Sequence, residues 1–194
     1  KQVIPQVKTN QVLTVNITNA QELYSWDSPK IAEKTLFKEV TKAVNVNFRH
    51  NEPDFVDFNI QKLLPHKLSD YSPALAVGDV DGNGLDDIIA GGNSNTPAQL
   101  FLQQLNGKFI QRSLLPGNHI EAPNHKDEGI LLFDANGDGK PDLYIASGGY
   151  SNESGDAAYQ DNLYLNDGKG NFALAESALP LNHASKLCVR AIDY

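Results

Sequence analysis

The sequence has few of the residues that build crosslinks and soft-metal sites. Its 194 residues include one cysteine, Cys188, one tryptophan and no methionine. A single cysteine excludes an internal disulfide and a zinc site made of cysteines. Cys188 lies in an apolar run, which predicts a buried strand residue. Because the chain does not begin with methionine, we expect it to be a piece of a longer protein.

Long apolar runs and basic patches are also missing. No apolar stretch approaches the roughly 18 residues of a membrane-spanning helix. Acidic residues number 24 and basic residues 16, for a formal net charge of −8. Without a basic stripe, the composition disfavours nucleic-acid binding.

The sequence shows no pattern typical of a catalytic centre. No Ser/His/Asp or Cys/His signature is visible, and the five histidines lack zinc-like spacing. We therefore predict no catalytic residue and a chain that is not an enzyme. One polar group stands out in a connection near the middle of the chain, and we expect it to be a solvated loop; it comprises His119, Glu121, His125, Asp127 and Glu128.

What the sequence does contain is an acidic nine-residue loop, present twice. Residues 79–87 read Asp-Val-Asp-Gly-Asn-Gly-Leu-Asp-Asp, and residues 134–142 read Asp-Ala-Asn-Gly-Asp-Gly-Lys-Pro-Asp. Oxygen-bearing side chains recur at positions 1, 3, 5 and 9, and glycines at positions 4 and 6 allow the tight curl that wraps a hard cation. This predicts two Ca²⁺ sites. The candidate ligands are Asp79, Asp81, Asn83, the Leu85 carbonyl and Asp87, then Asp134, Asn136, Asp138, the Lys140 carbonyl and Asp142.

Other interpretations of these loops are weaker. An EF-hand needs a glutamate at position 12, where this chain has Ala90 and Ile145. A dockerin-type loop leads into a helix, whereas β-rich segments follow here. Mg²⁺ fits these loops less well than Ca²⁺, because it prefers strict octahedral geometry and keeps more of its water. Plain Asp/Asn/Gly turns without metal remain an alternative, which the second copy in the same register disfavours.

Each loop belongs to a repeated unit of four short predicted strands. The units cover approximately residues 71–115 and 127–180, and a third opens at residue 187, with Asp193 at position 1 of another loop. Such units are typical of β-propeller blades. The predicted fold is all-β, with propeller-type four-stranded antiparallel blades, about two complete and the start of a third.

The region before the repeats is less regular. Residues 1–19 alternate loosely and predict an extended N-terminal β segment. Ser28-Pro29 is compatible with the start of a helix reaching about Val44. Further strands are expected over residues 45–49 and 55–58.

Residues 79–87 with their flanking segments, and Leu-Tyr-Leu-Asn-Asp-Gly-Lys-Gly-Asn-Phe at 163–172, resemble FG-GAP/VCBS repeats. Those are the Ca²⁺-binding blades of integrin α-subunit propellers and of many bacterial surface proteins, and the resemblance covers about residues 70–194. Leu36-Phe-Lys-Glu-Val-Thr and the segments after it resemble the propeller lead-in of the cartilage-acidic-protein-like subgroup, where this stretch is extended. Residues 5–20 resemble the tail of an ASPIC/UnbV domain. The expected domains are 1–34, such a tail plus a linker, and 35–194, a partial propeller.

The resemblance implies a non-catalytic calcium-binding module of an exported or cell-surface protein, serving adhesion or the binding of a glycan or protein. The alternative is a non-catalytic part of the propeller of a polysaccharide-degrading enzyme. The connection Tyr150–Asp161, with two tyrosines and three acids, is a candidate recognition loop, and a mobile polar loop is its other interpretation. Two blades cannot close a ring, so an exposed sheet edge is expected. That edge would permit edge-to-edge self-association or be covered by the first 70 residues.

Overall fold

A computed structural model describes most of the chain. Contacts divide the chain into two compact units, Lys1–Glu39 and Val40–Tyr194. Within the described residues no helix has the length and apolarity needed to span a membrane. The described residues are 2–23, 36–52, 54–60, 62–67, 69–93, 95–115 and 125–192.

The first repeat folds into a four-stranded antiparallel meander. Neighbouring strands are joined in sequence order, and Gly78 pairs with Asp87 at the end that carries the acidic loop. Gly107 has φ +74° in the last turn, a conformation in which glycine has no side-chain penalty. The strands are β1 (Leu75–Gly78), β2 (Asp87–Ala90), β3 (Gln99–Gln103) and β4 (Phe109–Ser113).

The second repeat folds in the same way. Its sheet is also an antiparallel meander, with one irregularity between Asp127 and Gly129. Its strands are β5 (Asp127–Phe133), β6 (Asp142–Ser147), β7 (Asn162–Asn166) and β8 (Phe172–Leu174). The described helical residues are short 3₁₀ turns, at Ile17–Asn19, Asp57–Asn59, Ser69–Tyr71 and Ala157–Tyr159. The predicted all-β fold with four-stranded antiparallel blades is therefore confirmed.

The two sheets share one hydrophobic core. Ile89 and Leu100 of the first sheet and Leu143 of the second have no exposed surface and belong to the same cluster. Strand β1 packs against β5, and a Cβ atom on Gly78 would lie 3.1 Å from Leu132 Cδ1. This packing brings the acidic-loop ends of both sheets to the same side of the core.

Several predictions for the region before the repeats are wrong. Residues 2–23 contain no strand, and Val12 and Ile17 are 96% and 85% exposed. A strand needs a partner for its backbone groups, and among the described residues no strand pairs with this segment. The start of the predicted helix lies outside the described residues, and residues 36–44 are not helical.

The expected strands at 45–49 and 55–58 are not formed either, but the first of these segments lies beside the first sheet. The Phe109 backbone N–H donates to the Val44 carbonyl at 2.8 Å. The Phe48 ring meets the Phe101 ring edge-on, with centroids 6.0 Å apart. Residues 44–48 are thus attached to the sheet by a few specific contacts instead of a continuous ladder.

The start of a third blade is not seen in the described residues. Residues 187–192 form no strand, and Cys188 is exposed, which corrects its predicted burial. Asp193 lies outside the described residues. Lys186 makes an isolated parallel bridge with Gly148. The backbone of residues 188–189 passes close to β5, where a Cβ atom on Gly129 would lie 2.9 Å from Val189 N, but residues 187–192 form no strand with it.

Candidate metal centre

The two acidic loops join the first two strands of their sheets and have the same backbone geometry. Glycines at positions 4 and 6 adopt left-handed φ angles in both, +76° and +84° in the first loop and +78° and +80° in the second. A Cβ atom is strained in this region, so the sequence had to place glycine there. The glycines are Gly82 and Gly84, then Gly137 and Gly139.

The first aspartate of each loop organises the turn. Asp79 Oδ1 accepts hydrogen bonds from the backbone N–H groups of Gly82 and Asn83 at 2.8 and 3.1 Å, and its Oδ2 accepts from Gly84 at 2.8 Å. Asp134 accepts from the equivalent three N–H groups at 2.7, 3.1 and 2.8 Å. Repetition of this scheme shows that the loop conformation is encoded within each nine-residue segment.

The last aspartate of each loop is buried and connects the loop to the third strand of its sheet. Asp87 accepts from Val80 N–H at 3.0 Å and from Gln103 N–H at 2.7 Å. Asp142 accepts in the same way, from the N–H groups of Ala135 and Asn166 at 3.0 and 2.8 Å. Each of these carboxylates therefore has a structural role besides any part in cation binding.

In the first loop the carboxylates converge. Asp79, Asp81 and Asp87 each present an oxygen, and these oxygens lie within 4.8 Å of one another. Ca²⁺ takes oxygen ligands at about 2.3–2.6 Å, so oxygens on opposite sides of one ion are about 5 Å apart. Burial raises the pKa of Asp87, and the nearby Asp81 and Asp79 add to the effect. Crowded carboxylates in a partly buried site are the donor set that a hard cation requires.

The other two predicted ligands of the first loop lie in the same turn. Asn83 Oδ1 accepts from Leu85 N–H at 2.8 Å, and Asn83 Nδ2 donates to the Gln103 carbonyl at 2.9 Å. The Asn83 amide is therefore oriented by contacts on both sides.

The second loop has the same backbone but not the same cluster. Among the described residues, the three-acid grouping is found only in the first loop. Position 3 of the second loop is Asn136, and Asp138 Oδ2 is already paired with Lys140 Nζ at 3.1 Å. A backbone hydrogen bond from Lys140, supported by its side chain, lowers the pKa of Asp138. Asp134, Asn136 and Asp138 are also exposed, so the second predicted site stays a prediction.

The described members of the polar group near the middle of the chain, His125, Asp127 and Glu128, are buried, which corrects the expected solvated loop for these residues. His125 Nε2 lies 2.6 Å from Asp127 Oδ1, and Asp127 Oδ2 accepts from Gly92 N–H at 2.7 Å. Burial raises the pKa of Glu128. His119 and Glu121 lie outside the described residues. The described members thus connect the start of β5 to the end of β2.

Lys126 and Glu52 belong to the same network and were not singled out in the sequence. Lys126 Nζ lies 3.1 Å from Glu52 Oε1 and 3.2 Å from Glu128 Oε1, and it donates to the Ser69 carbonyl at 2.6 Å. Burial acts to raise the pKa of Glu52, but hydrogen bonds from His50 and Lys126 outweigh it and lower the pKa. These charges pair with one another, which is typical of a structural network. No spacing rule relates residues so far apart in the chain.

The end of the candidate recognition loop is buried, whereas residues 153–157 are exposed. Tyr159 is 4% exposed, and its hydroxyl donates to the Asn152 carbonyl at 3.0 Å. Asp161 is buried and accepts from Ser147 N–H and from the Tyr144 hydroxyl, at 2.9 and 2.6 Å. Tyr159 is therefore not available to stack on a ligand, and Tyr150 is the partly exposed tyrosine of this loop.

Two matched four-stranded antiparallel sheets, each with an Asp/Asn/Gly loop between its first two strands, define a repeat protein with propeller-type blades. The family model for the FG-GAP-like repeat matches residues 79–145, from the first loop into β6. This part of the chain is therefore similar to an FG-GAP-like repeat. Comparisons with curated proteins and with solved structures gave no match. The narrower resemblance to the cartilage-acidic-protein-like and ASPIC/UnbV proteins stays a prediction.

Proposed function

We propose that the chain is a non-catalytic calcium-binding module of an exported or cell-surface repeat protein, whose task is adhesion or the binding of a glycan or protein. The observation that carries the proposal is the convergence of Asp79, Asp81 and Asp87 within a segment that matches the FG-GAP-like repeat. A Ca²⁺ ion there would be held by these three carboxylates, Asn83 Oδ1 and the Leu85 carbonyl, with water completing six to eight ligands.

The role of this ion is structural. Three like charges within 4.8 Å repel one another, and a divalent cation converts that repulsion into attraction. The loop joins β1 to β2 immediately beyond the Gly78–Asp87 pair, so its closure holds these two strands in register. Paired charges in the buried Lys126 network further support a module without chemistry of its own.

The second loop is proposed as a weaker site. It shares the backbone of the first loop, but its Asn136 contributes no charge and its Asp138 already pairs with Lys140. Binding there has to displace the lysine ammonium from the carboxylate. We therefore expect sequential occupancy, with the first loop filling at lower Ca²⁺ concentration.

The calcium concentration that such sites need supports an exported location. FG-GAP-like repeats are typical of extracellular proteins, and extracellular calcium modules work at about 10⁻⁴–10⁻³ M. A partly exposed loop with three carboxylates is in keeping with that range.

Titration calorimetry tests the proposal. We expect the parent chain to bind Ca²⁺ and to give little heat with Mg²⁺. The Asp81→Asn variant should bind Ca²⁺ more weakly at the first loop. Asp86→Asn is the matched control, because Asp86 is in the same loop and carries the same charge but is exposed and outside the cluster. Absence of Ca²⁺ binding by the parent chain would overturn the proposal, as would equal loss of binding in both variants.

A further inference from the structure

The turn between β7 and β8, residues 166–171, lies against the first acidic loop, although it belongs to the second repeat. A Cβ atom on Gly82 would stand 3.3 Å from the Gly168 carbonyl oxygen, while the equivalent Gly137 of the second loop has no such neighbour within 4 Å. Arg112 of β4 attaches the turn to the first sheet, by donating to the Gly170 carbonyl and to Asn171 Oδ1. The turn therefore contacts the first loop at Gly82, and it also meets the second loop, where a Cβ atom on Gly168 would lie 2.7 Å from Lys140 Cδ.

Asn166 is the centre of this contact. It is 3% exposed, and its Nδ2 donates to the Val80 carbonyl of the first loop at 2.9 Å and to the Pro141 carbonyl of the second at 3.0 Å. Its Oδ1 accepts from Gly168 N–H at 3.0 Å, and its backbone N–H donates to Asp142 Oδ1 at 2.8 Å. Both donors of one buried amide are thus used on the two loops.

The carbonyl that Asn166 holds has a direct geometric link to the carboxylate cluster. Val80 lies between Asp79 and Asp81, and its own N–H donates to Asp87. The peptide group that contains the Val80 carbonyl continues into the backbone of Asp81. Fixing this group therefore fixes the backbone from which Asp81, one of the three converging side chains, projects.

We propose that Asn166 is a positioning residue for the first cation site, so that this site is completed by the following repeat. The inference rests on the proposed calcium binding. Groups that orient the ligands of a metal site typically change its affinity about 10- to 100-fold when they are removed. An Asn166 variant should therefore weaken Ca²⁺ binding at a loop to which it contributes no ligand.

The test uses the full chain with Asp134→Asn, which disables the second loop so that only the first is titrated. Asn166→Ala removes both donors, and Asn166→Asp keeps the size of the side chain but replaces the donor group. Asn106→Ala is the matched control, because Asn106 is the asparagine of the β3–β4 turn, where its Oδ1 accepts from Lys108 N–H. Ca²⁺ affinity is measured by calorimetry, and folding by thermal unfolding in EDTA.

We expect about tenfold weaker binding in both Asn166 variants and parent affinity in Asn106→Ala. If the Asn166 variants only unfold at a lower temperature in EDTA and bind with parent affinity below that midpoint, Asn166 is structural and the inference is wrong. If they do not fold, the test is made on Asp134→Asn alone by nuclear magnetic resonance. Added Ca²⁺ should then shift the Asn166 side-chain amide together with the Gly84 amide, and an unmoved Asn166 signal overturns the inference. A chain that binds no Ca²⁺ overturns the proposed function as well.

Discussion

Neutralising one carboxylate of the first loop should have opposite effects on stability with and without calcium. The perturbation is Asp81→Asn, in which the amide oxygen can still accept the Asn83 N–H bond that Asp81 Oδ1 accepts at 3.1 Å. The change removes Asp81 from two of the three repelling pairs of the cluster. In EDTA we therefore expect the variant to be at least as stable as the parent chain.

The magnitude follows from the separation of the charges. At 4.8 Å, each pair of unit charges repels by about 3 to 4 kcal/mol at an effective dielectric constant near 20. Asp79 and Asp81 are only partly buried, so solvent screening reduces the gain in EDTA to about 1 kcal/mol. With Ca²⁺ at 100 times its dissociation constant, the parent chain gains about 2.7 kcal/mol. For a chain of this size that corresponds to a rise of about 5 to 10 °C in the unfolding midpoint.

The assay is thermal unfolding of the parent chain, Asp81→Asn and Asp86→Asn, each in EDTA and in excess Ca²⁺, with Mg²⁺ as the ionic control. The Asp81→Asn midpoint should lie at or above that of the parent in EDTA and below it in Ca²⁺. Asp86→Asn should show the full calcium-dependent rise. An Asp81→Asn midpoint that is lower by the same amount in both conditions would refute the reasoning, because Asp81 would then act only as a turn residue.

The buried network and the core give further predictions. Lys126→Met leaves the buried Glu128 without its cation and removes one partner of the partly buried Glu52, so it should cost about 3–5 kcal/mol in urea unfolding, whereas the exposed Lys169→Met should change little. Tyr144→Phe removes a hydrogen bond to a buried carboxylate and should cost about 1.5–3 kcal/mol at pH 7. Burial and that carboxylate raise the pKa of Tyr144 above 10, so this stabilisation is present below pH 10 and the difference from the parent should shrink at higher pH. Leu143→Ala should cost about 2–5 kcal/mol because Leu143 is fully buried, and Leu181→Ala, at 86% exposure, should be nearly neutral by the same assay.

Much of the blade architecture was predictable because its signals are local. Alternating oxygens and glycines in residues 79–87 and 134–142 predicted two equivalent loops, and both adopt the same hydrogen-bonding scheme. Short β-rich segments bounded by glycine predicted the strands on either side. Each of these features depends on residues within about ten positions of one another, where backbone preference and turn chemistry decide the conformation.

Predictions failed where the outcome depended on a distant partner. The alternation of residues 1–19 looks like a strand, but no strand forms in the described residues 2–23, because a strand needs a neighbour. Cys188 lies in an apolar run, yet it is exposed, in a segment that forms no strand. The composition of the loop that contains Tyr159 is typical of a recognition loop, yet the Tyr159 side chain is buried.

The sequence by itself determined the repeat, the curl of each acidic loop and the oxygen ligands that each loop offers, because these follow from short-range backbone geometry. Only the tertiary structure decided that the two loops differ in their surroundings. The turn around Asn166 contacts the backbone of the first loop at Gly82, whereas the equivalent Gly137 of the second loop has no neighbour within 4 Å of a Cβ position. The tertiary structure also places Glu52 beside Lys126, which is far from it in the sequence. Burial and charge pairing depend on which distant segments meet in space, and the shared core of the two sheets sets that arrangement.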